Sequence, residues 1–393
     1  MAITDSSAPA APAIHWRNLI GAISAITVFG LALGEMFPLL SLIMERDGFS
    51  PNLIGVNAAM QPLGILSSGF IVPPLVRRFG TRRLLIGVSV LAALILLAYP
   101  FAPIIWAWFP IRFFHGMVVS TLFSVSEALI IQSADGQYRG RIVALYSSVL
   151  AISFGAGPAL LYLTGISGVL PFAVGALVLL SATLPMLLIQ PVQGPDDDAH
   201  GVGFFSFARK APVLLLAIFA FAVFDAAVLS FLPVYGVKKG LDRDTAALLL
   251  TVLVWGNVVL QPPIGWLADR FRKRTVMIGC AVVSAVFTPL LPVSFGTPWM
   301  WVVLVIIGTA PAGLYSVALA EIGERFSGPD LVAGTSALST MWGLGALIGV
   351  LMTGQVFEVY GPDGMPYALA LVFVLLLIAI FVRERWKRTH VVA

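Results

Sequence analysis

The stretch Gly265-Trp266-Leu267-Ala268-Asp269-Arg270-Phe271-Arg272-Lys273-Arg274 separates two long apolar runs. A related stretch, Pro73-Pro74-Leu75-Val76-Arg77-Arg78-Phe79-Gly80-Thr81-Arg82-Arg83, does the same 192 residues earlier. In both, the apolar run stops at arginines, which do not sit in hydrocarbon, and a new run begins behind them. Working outward from these two points predicts twelve helices: 18–44, 52–76, 84–102, 104–132, 142–164 and 170–190, then 213–236, 245–267, 275–295, 299–323, 333–358 and 365–382. Each is close to the roughly 20 residues that cross about 30 Å of hydrocarbon at about 1.5 Å per residue. The runs lack the period-2 alternation of a membrane barrel, and backbone groups in lipid must pair internally, so helices are required.

The whole chain agrees with that reading. Of 393 residues, 59% are hydrophobic and 11% charged, and the mean hydropathy is +0.98, well outside the range of soluble domains. The net charge of +4 is not a nucleic-acid footprint, because the basic residues lie in short clusters between apolar runs. Assigning alternate loops to opposite sides puts 18 basic residues on one side. They are Arg17, Arg77, Arg78, Arg82, Arg83, Arg139, Arg141, Arg209, Lys210, Arg270, Arg272, Lys273, Arg274, Arg325, Arg383, Arg385, Lys387 and Arg388. Arg46, Lys238, Lys239 and Arg243 fall on the other, and Arg112 is left inside the membrane. The positive-inside rule makes the rich side cytoplasmic and places both termini there, in a bacterial inner membrane.

The halves repeat at an offset of 192 to 194: Gly48 with Gly240, Arg78 with Arg270, Arg82 with Arg274, Gly87 with Gly279, Glu127 with Glu321, Gly140 with Gly334 and Gly155 with Gly349. Such agreement indicates a duplicated six-helix unit. The expected organisation is a disordered cytoplasmic tail over 1–17, a six-helix bundle over 18–190, a cytoplasmic linker over 191–212, a second bundle over 213–382 and a cytoplasmic tail over 383–393. Parallel repeats of this kind bind solute near the midplane between the halves.

The stretch at 265–274 is similar to the G-x-L-a-D-R-x-G-R-K signature of the major facilitator superfamily, with Arg272 at the glycine position. The first copy is degraded, Arg77 standing where the acid belongs and Pro73 at the first glycine. Arg112-Phe-Phe-His115-Gly116 resembles the R-x-x-x-G element of helix 4. Glu127-Ala-Leu, Arg139-Gly-Arg141 to Tyr146 and Leu331-Val-Ala to Gly349 look most like the YcaD-like bacterial branch. The resemblance implies a fold of two pseudo-symmetric six-helix bundles, secondary transport, and a part for Arg112 in proton coupling.

Intramembrane ionisable groups are the first place to look for mechanism. Asp225 falls near mid-bilayer in helix 7 and Glu35 somewhat beyond it in helix 1, at nearly equivalent repeat positions, so both are expected to face one cavity. An acid isolated in hydrocarbon is cheaper protonated than charged, which suits a proton carrier; the competing reading is a structural hydrogen bond. Arg112 needs a carboxylate, a carbonyl or an anionic solute, and His115 lies one turn along. Asp269, Arg270, Glu127, Arg139, Arg141, Glu321 and Arg325 are the expected inner gate, with the first-half latch missing at Arg77. Gly155-Ala-Gly157-Pro158 resembles the core of the antiporter signature, although Leu161-Tyr162 stands where a later glycine pair belongs. That match tilts the reading toward export.

Asn57, Gln61, Tyr146, Tyr235, Trp255, Asn257, Gln261, Tyr315 and Trp342 are the candidate solute contacts. A mostly apolar cavity with one or two acids suits an amphipathic or weakly cationic solute. The leading reading is therefore a proton-coupled transporter of a small organic solute working as a monomer in the bilayer, with export by antiport ahead of uptake. A uniporter, a proton symporter, or a non-transporting sensor or assembly factor are the alternatives. No lysine follows a glycine-rich loop and precedes Ser or Thr, and no long soluble stretch exists to hold an enzyme domain. The single Cys280 and four scattered histidines predict neither metal nor cofactor.

Overall fold

The computed structural model describes residues 15–69, 71–102, 104–133, 136–190, 204–326 and 328–390, and these are almost entirely helical. The first half holds α1 (Trp16–Arg46), α2 (Pro51–Ser68), α3 (Val72–Phe79), α4 (Thr81–Ala98), α5 (Trp108–Gln132), α6 (Gly136–Thr164), α7 (Leu170–Ser181) and α8 (Thr183–Met186). The second holds α9 (Phe204–Lys210), α10 (Pro212–Lys238), α11 (Arg243–Arg270), α12 (Lys273–Phe287), α13 (Leu291–Ser294), α14 (Trp299–Arg325), α15 (Gly328–Tyr360) and α16 (Gly364–His390).

Among the described residues, ten helices, some with a short helical extension, are long and apolar enough to span a bilayer, and α2 with α3 makes an eleventh if that pair, bent by 59°, is one span. The twelfth expected segment is the shorter apolar pair Leu170–Met186, interrupted at Ala182 and ending one residue beyond Pro185. Two boundaries differ from expectation. The predicted linker contains α9, whose Phe207 is fully buried and packs on Phe326 at 4.9 Å between ring centres. The predicted tail after 382 continues as helix to His390. The remainder of the expected linker, 191–203, and the residues before 15 lie outside the described residues.

Local chemistry sets the turns. Ser50 caps α2, accepting from the Leu53 N–H, with Pro51 at the first helical position. Asp242 caps α11 by accepting from the Thr245 N–H at 2.8 Å. The repeat-related Gly48 and Gly240 close α1 and α10 with φ of 80° and 97°, a conformation glycine adopts without steric cost. Gly80 turns from α3 into α4 with φ of 73°, whereas its repeat partner Arg272 turns into α12 with φ of −57°. The missing signature glycine at 272 is thus tolerated because this copy of the turn needs no left-handed residue.

Small residues let the helices approach closely. Gly34 of α1 lies against the Phe154 backbone of α6, and Gly349 of α15 lies against the Val223 backbone of α10. The same α1–α6 packing therefore recurs as α10–α15. Between the halves, α2 packs on α15, α6 on α11, and α1 on α10. Glu45 at the end of α1 meets Lys238 at the end of α10, so these two helices run in parallel and begin at the same end of the molecule. The end at which α1 and α10 begin is the terminal end, and the end at Glu45 is the far end.

Candidate functional site

At the far end the halves are tied together. Glu45, whose side chain is 8% exposed, accepts from Lys238 Nζ at 2.9 Å and from Arg243 at 3.4 Å. The Asn52 N–H of α2 donates to Glu358 of α15 at 2.9 Å. One turn below, Gly55 and Gly354 bring the two backbones into contact. Tyr235 belongs to this end as well, donating to Asp363 at 3.0 Å beside the Lys239–Asp363 ion pair. It is fully buried and stands apart from the other aromatic candidates.

The terminal end is different. Asp269 is exposed and has no partner among the described residues, and Arg270 rests over its own neighbour Trp266 at 5.6 Å. Glu321 pairs with Arg325 within one helix at 2.7 Å, and Lys273 with Glu324 at 2.6 Å within the second half. The side chains of Arg139 and Arg141 lie outside the described residues. Among the described residues, Asp269, Arg270, Glu127, Glu321 and Arg325 therefore form no single latch here.

Between the ends lie the interface groups. Asp225 is half-buried on α10, with the Trp342 side chain of α15 in hydrogen-bonding reach. One turn back on the same face, Phe221 meets Tyr315 of α14 at 5.5 Å between ring centres. Tyr315 in turn lies within electrostatic reach of Glu127 on α5. Tyr146 of α6 faces Glu127 too, its hydroxyl close to the carboxylate without completing a hydrogen bond of good geometry. In the α6–α11 seam, Trp255 packs on Gly155 and donates to the Ile152 carbonyl at 3.3 Å. Gln261 donates to Ser316, and the Asn257 carbonyl oxygen has no partner.

Glu35 is elsewhere. It is 1% exposed, Oε1 is unpartnered, and a Cβ at Gly175 of α7 would lie 2.5 Å from its Oε2 and 2.8 Å from Leu96 of α4. Its carboxyl thus points into the interior of the first half, between α1, α4 and α7, and does not share a cavity with Asp225 as repeat position suggested. The two positions are 190 apart, two residues short of the 192 that relates Gly48 to Gly240, and two residues turn an α-helix by about 200°.

Arg112 is also inside the first half and fully buried. It donates to Asn57 Oδ1 at 2.8 Å and lies over the Phe37 ring at 5.7 Å, with Nε and Nη2 unpartnered. His115 is next to it on α5, and Gly116 sits against the backbone of Gln61. Gln61, both ring nitrogens of His115 and the Tyr99 hydroxyl are buried without partners. Asn57 and Gln61, predicted as solute contacts, therefore belong with Arg112 and His115 in one polar cluster between α2 and α5. A buried guanidinium carries a desolvation cost of several kcal/mol, which one amide and one ring face offset only in part. Among the described residues no group of three His, Cys, Asp or Glu is placed to hold a metal.

Several interface residues were not singled out from sequence: Glu45, Lys238, Arg243, Asn52, Glu358, Phe221 and Ser316. A signal for the first pair did exist, since Glu45 and Lys238 are opposite charges within one position of repeat equivalence, at the ends of α1 and α10.

Two repeat-related helical bundles, clasped across the halves at the far end and meeting along α1–α10, α2–α15 and α6–α11, define a two-bundle membrane-transporter fold. The sequence profile of the Major Facilitator Superfamily matches residues 19–246 and 239–391, and the chain belongs to that family. It is 24% identical over 354 residues to the uncharacterized MFS-type transporter YfkF of Bacillus subtilis, covering 88% of this chain and 90% of that one. It is also 24% identical over 349 residues to the uncharacterized MFS-type transporter YcaD of Escherichia coli O7:K1, covering 88% and 90%. Among solved structures, the nucleoside transporter NupG superposes with a TM-score of 0.77 at 14% identity, over 93% of this chain and 98% of that one.

Proposed function

We propose that the chain is a proton-coupled secondary transporter of a small organic solute, working by alternating access as a monomer in the bacterial inner membrane. Both termini lie in the cytoplasm and export by antiport is favoured. With the terminal end cytoplasmic, the far end is the external gate, and the state described above is closed to the outside. The observation that carries the reading is Asp225: an acid within a spanning helix at the interface of the halves, with an indole as its neighbour and no cationic partner among the described residues. Such a group holds and releases a proton as its surroundings change between states. Glu35, sealed in the first half, is a second carrier that senses the rearrangement of α1, α4 and α7.

The test is solute flux driven by a pH gradient in proteoliposomes. Asp225→Asn should abolish the pH-driven component and leave solute equilibration without a gradient, and Glu35→Gln should reduce it. Undiminished pH-driven flux in both variants would contradict proton coupling through these groups.

A further inference from the structure

Glu127 and Glu321 occupy equivalent places in the two halves, yet their surroundings differ in kind. Glu321 has its cation, Arg325, at 2.7 Å. Glu127 has no ion pair among the described residues, and what faces it is Tyr146 from its own half and Tyr315 from the other. Tyr146 is 6% exposed and its hydroxyl is unpartnered. From Tyr315 the aromatic surface continues through Phe221 at 5.5 Å, and one turn along α10 it reaches Asp225 and Trp342. The line therefore has a carboxylate at each end, one per half, with aromatic faces between and, among the described residues, no fixed positive charge paired to either.

We infer that Glu127, Tyr146 and Tyr315 form the recognition site for the cationic head of an organic amine, whose apolar body lies along Tyr315, Phe221 and Trp342 toward Asp225. This names the solute class within the transport reading above and rests on it. The carboxylate in a low-dielectric seam attracts a monocation far more strongly than it would in water. Aromatic faces add attraction for a charge held over them. The Tyr146 hydroxyl has a free lone pair to accept from an ammonium N–H and a proton to give Glu127 when the site is empty. An anion is excluded, because it would meet two acids. Since Glu127 and Tyr146 come from one half and Tyr315 from the other, occupancy by one cation draws on both, which links binding to the motion of the halves.

The experiment is equilibrium binding to the full-length protein in lipid nanodiscs at one pH, with empty discs as the blank. The probes are tetraphenylphosphonium and tetraphenylborate, which share a shape and differ in the sign of charge. Wild-type protein should bind the cation saturably and not the borate. Glu127→Gln should weaken the cation by roughly tenfold or more, as expected for loss of a charged partner, and Tyr146→Leu or Tyr315→Leu, which remove the aromatic face that a phosphonium without N–H groups meets, by about threefold to tenfold. Glu324→Gln, which removes an exposed carboxylate at the terminal end, should leave binding unchanged. If Glu127→Gln fails to fold, Glu127→Asp retains the charge and should stay within about threefold of wild type. No saturable cation binding by wild type, equal binding of the borate, or wild-type affinity in Glu127→Gln would overturn the assignment. No gradient is present, so this result stands apart from the Asp225→Asn flux result, and either reading can fail alone.

Discussion

Removing the charge of Glu45 should open the far end. The two cations that meet it, Lys238 and Arg243, have side chains 46% and 41% exposed, and pairs of that exposure are worth about 0.5–1 kcal/mol each after solvent screening. Together they favour the closed far end by about 1–2 kcal/mol, toward the upper figure because Glu45 itself is buried. In Glu45→Gln the ratio of closed to open far end should therefore fall by about 5- to 30-fold. Spin labels at Val169→Cys and Val359→Cys report this directly. Both sites are exposed, one beside the α6–α7 turn and the other at the end of α15, and Cys280 is first replaced by Ser. Wild type should give mainly short distances, and Glu45→Gln a clear longer population. Salt at about 1 M, which shortens the screening length to about 3 Å, should move wild type toward the variant and leave the variant almost unaffected. Identical distance distributions, or an equal salt response, would refute the reasoning.

Three further outcomes follow from the same geometry. Gly354→Ala places a Cβ 2.8 Å from the Pro51 carbonyl oxygen and 3.1 Å from Gly55 Cα, so it should open the far end by steric means, with no salt dependence in the same spin-label assay. Gly175→Ala crowds the Glu35 carboxyl and should cost about 1–3 kcal/mol of overpacking, read as a lower thermal midpoint in detergent. Asp242 is held below the usual aspartate range by the Thr245 N–H, so its cap is intact above that range and is lost as pH falls through the depressed value. Asp242→Ala should accordingly lower stability by about 1 kcal/mol at pH 7, with the difference from wild type closing only in strong acid. A difference that already closes by pH 5 would show that some other group is titrating.

The fold was legible because hydropathy, basic clusters and repeat spacing are properties of the chain alone. The bend after α2 and the break at Ala182 were not, since each changes helix direction without changing composition. Asp225 was legible as an acid within a spanning helix, α10, which packs on α1 of the other half. Glu35 and Arg112 were legible as intramembrane charges, but not as interior to the first half, because the face a side chain takes depends on close approaches such as Gly175 and Gly116. Glu127 was read with the arginines near it in sequence; the Arg139 and Arg141 side chains lie outside the described residues, and among the described ones two tyrosines face Glu127. The far-end clasp joins residues about 190 to 300 positions apart, and only the charge opposition of Glu45 and Lys238 announces it.

The most direct test of coupled transport is proton movement caused by solute. Proteoliposomes loaded with a pH-sensitive dye and pre-equilibrated at one pH would receive an outward gradient of a transported organic cation, with the membrane potential clamped. Wild type should show a dye response of opposite sense to the cation flux, proportional to it, and absent in Asp225→Asn. Cation flux in wild type with no accompanying proton movement would contradict the account.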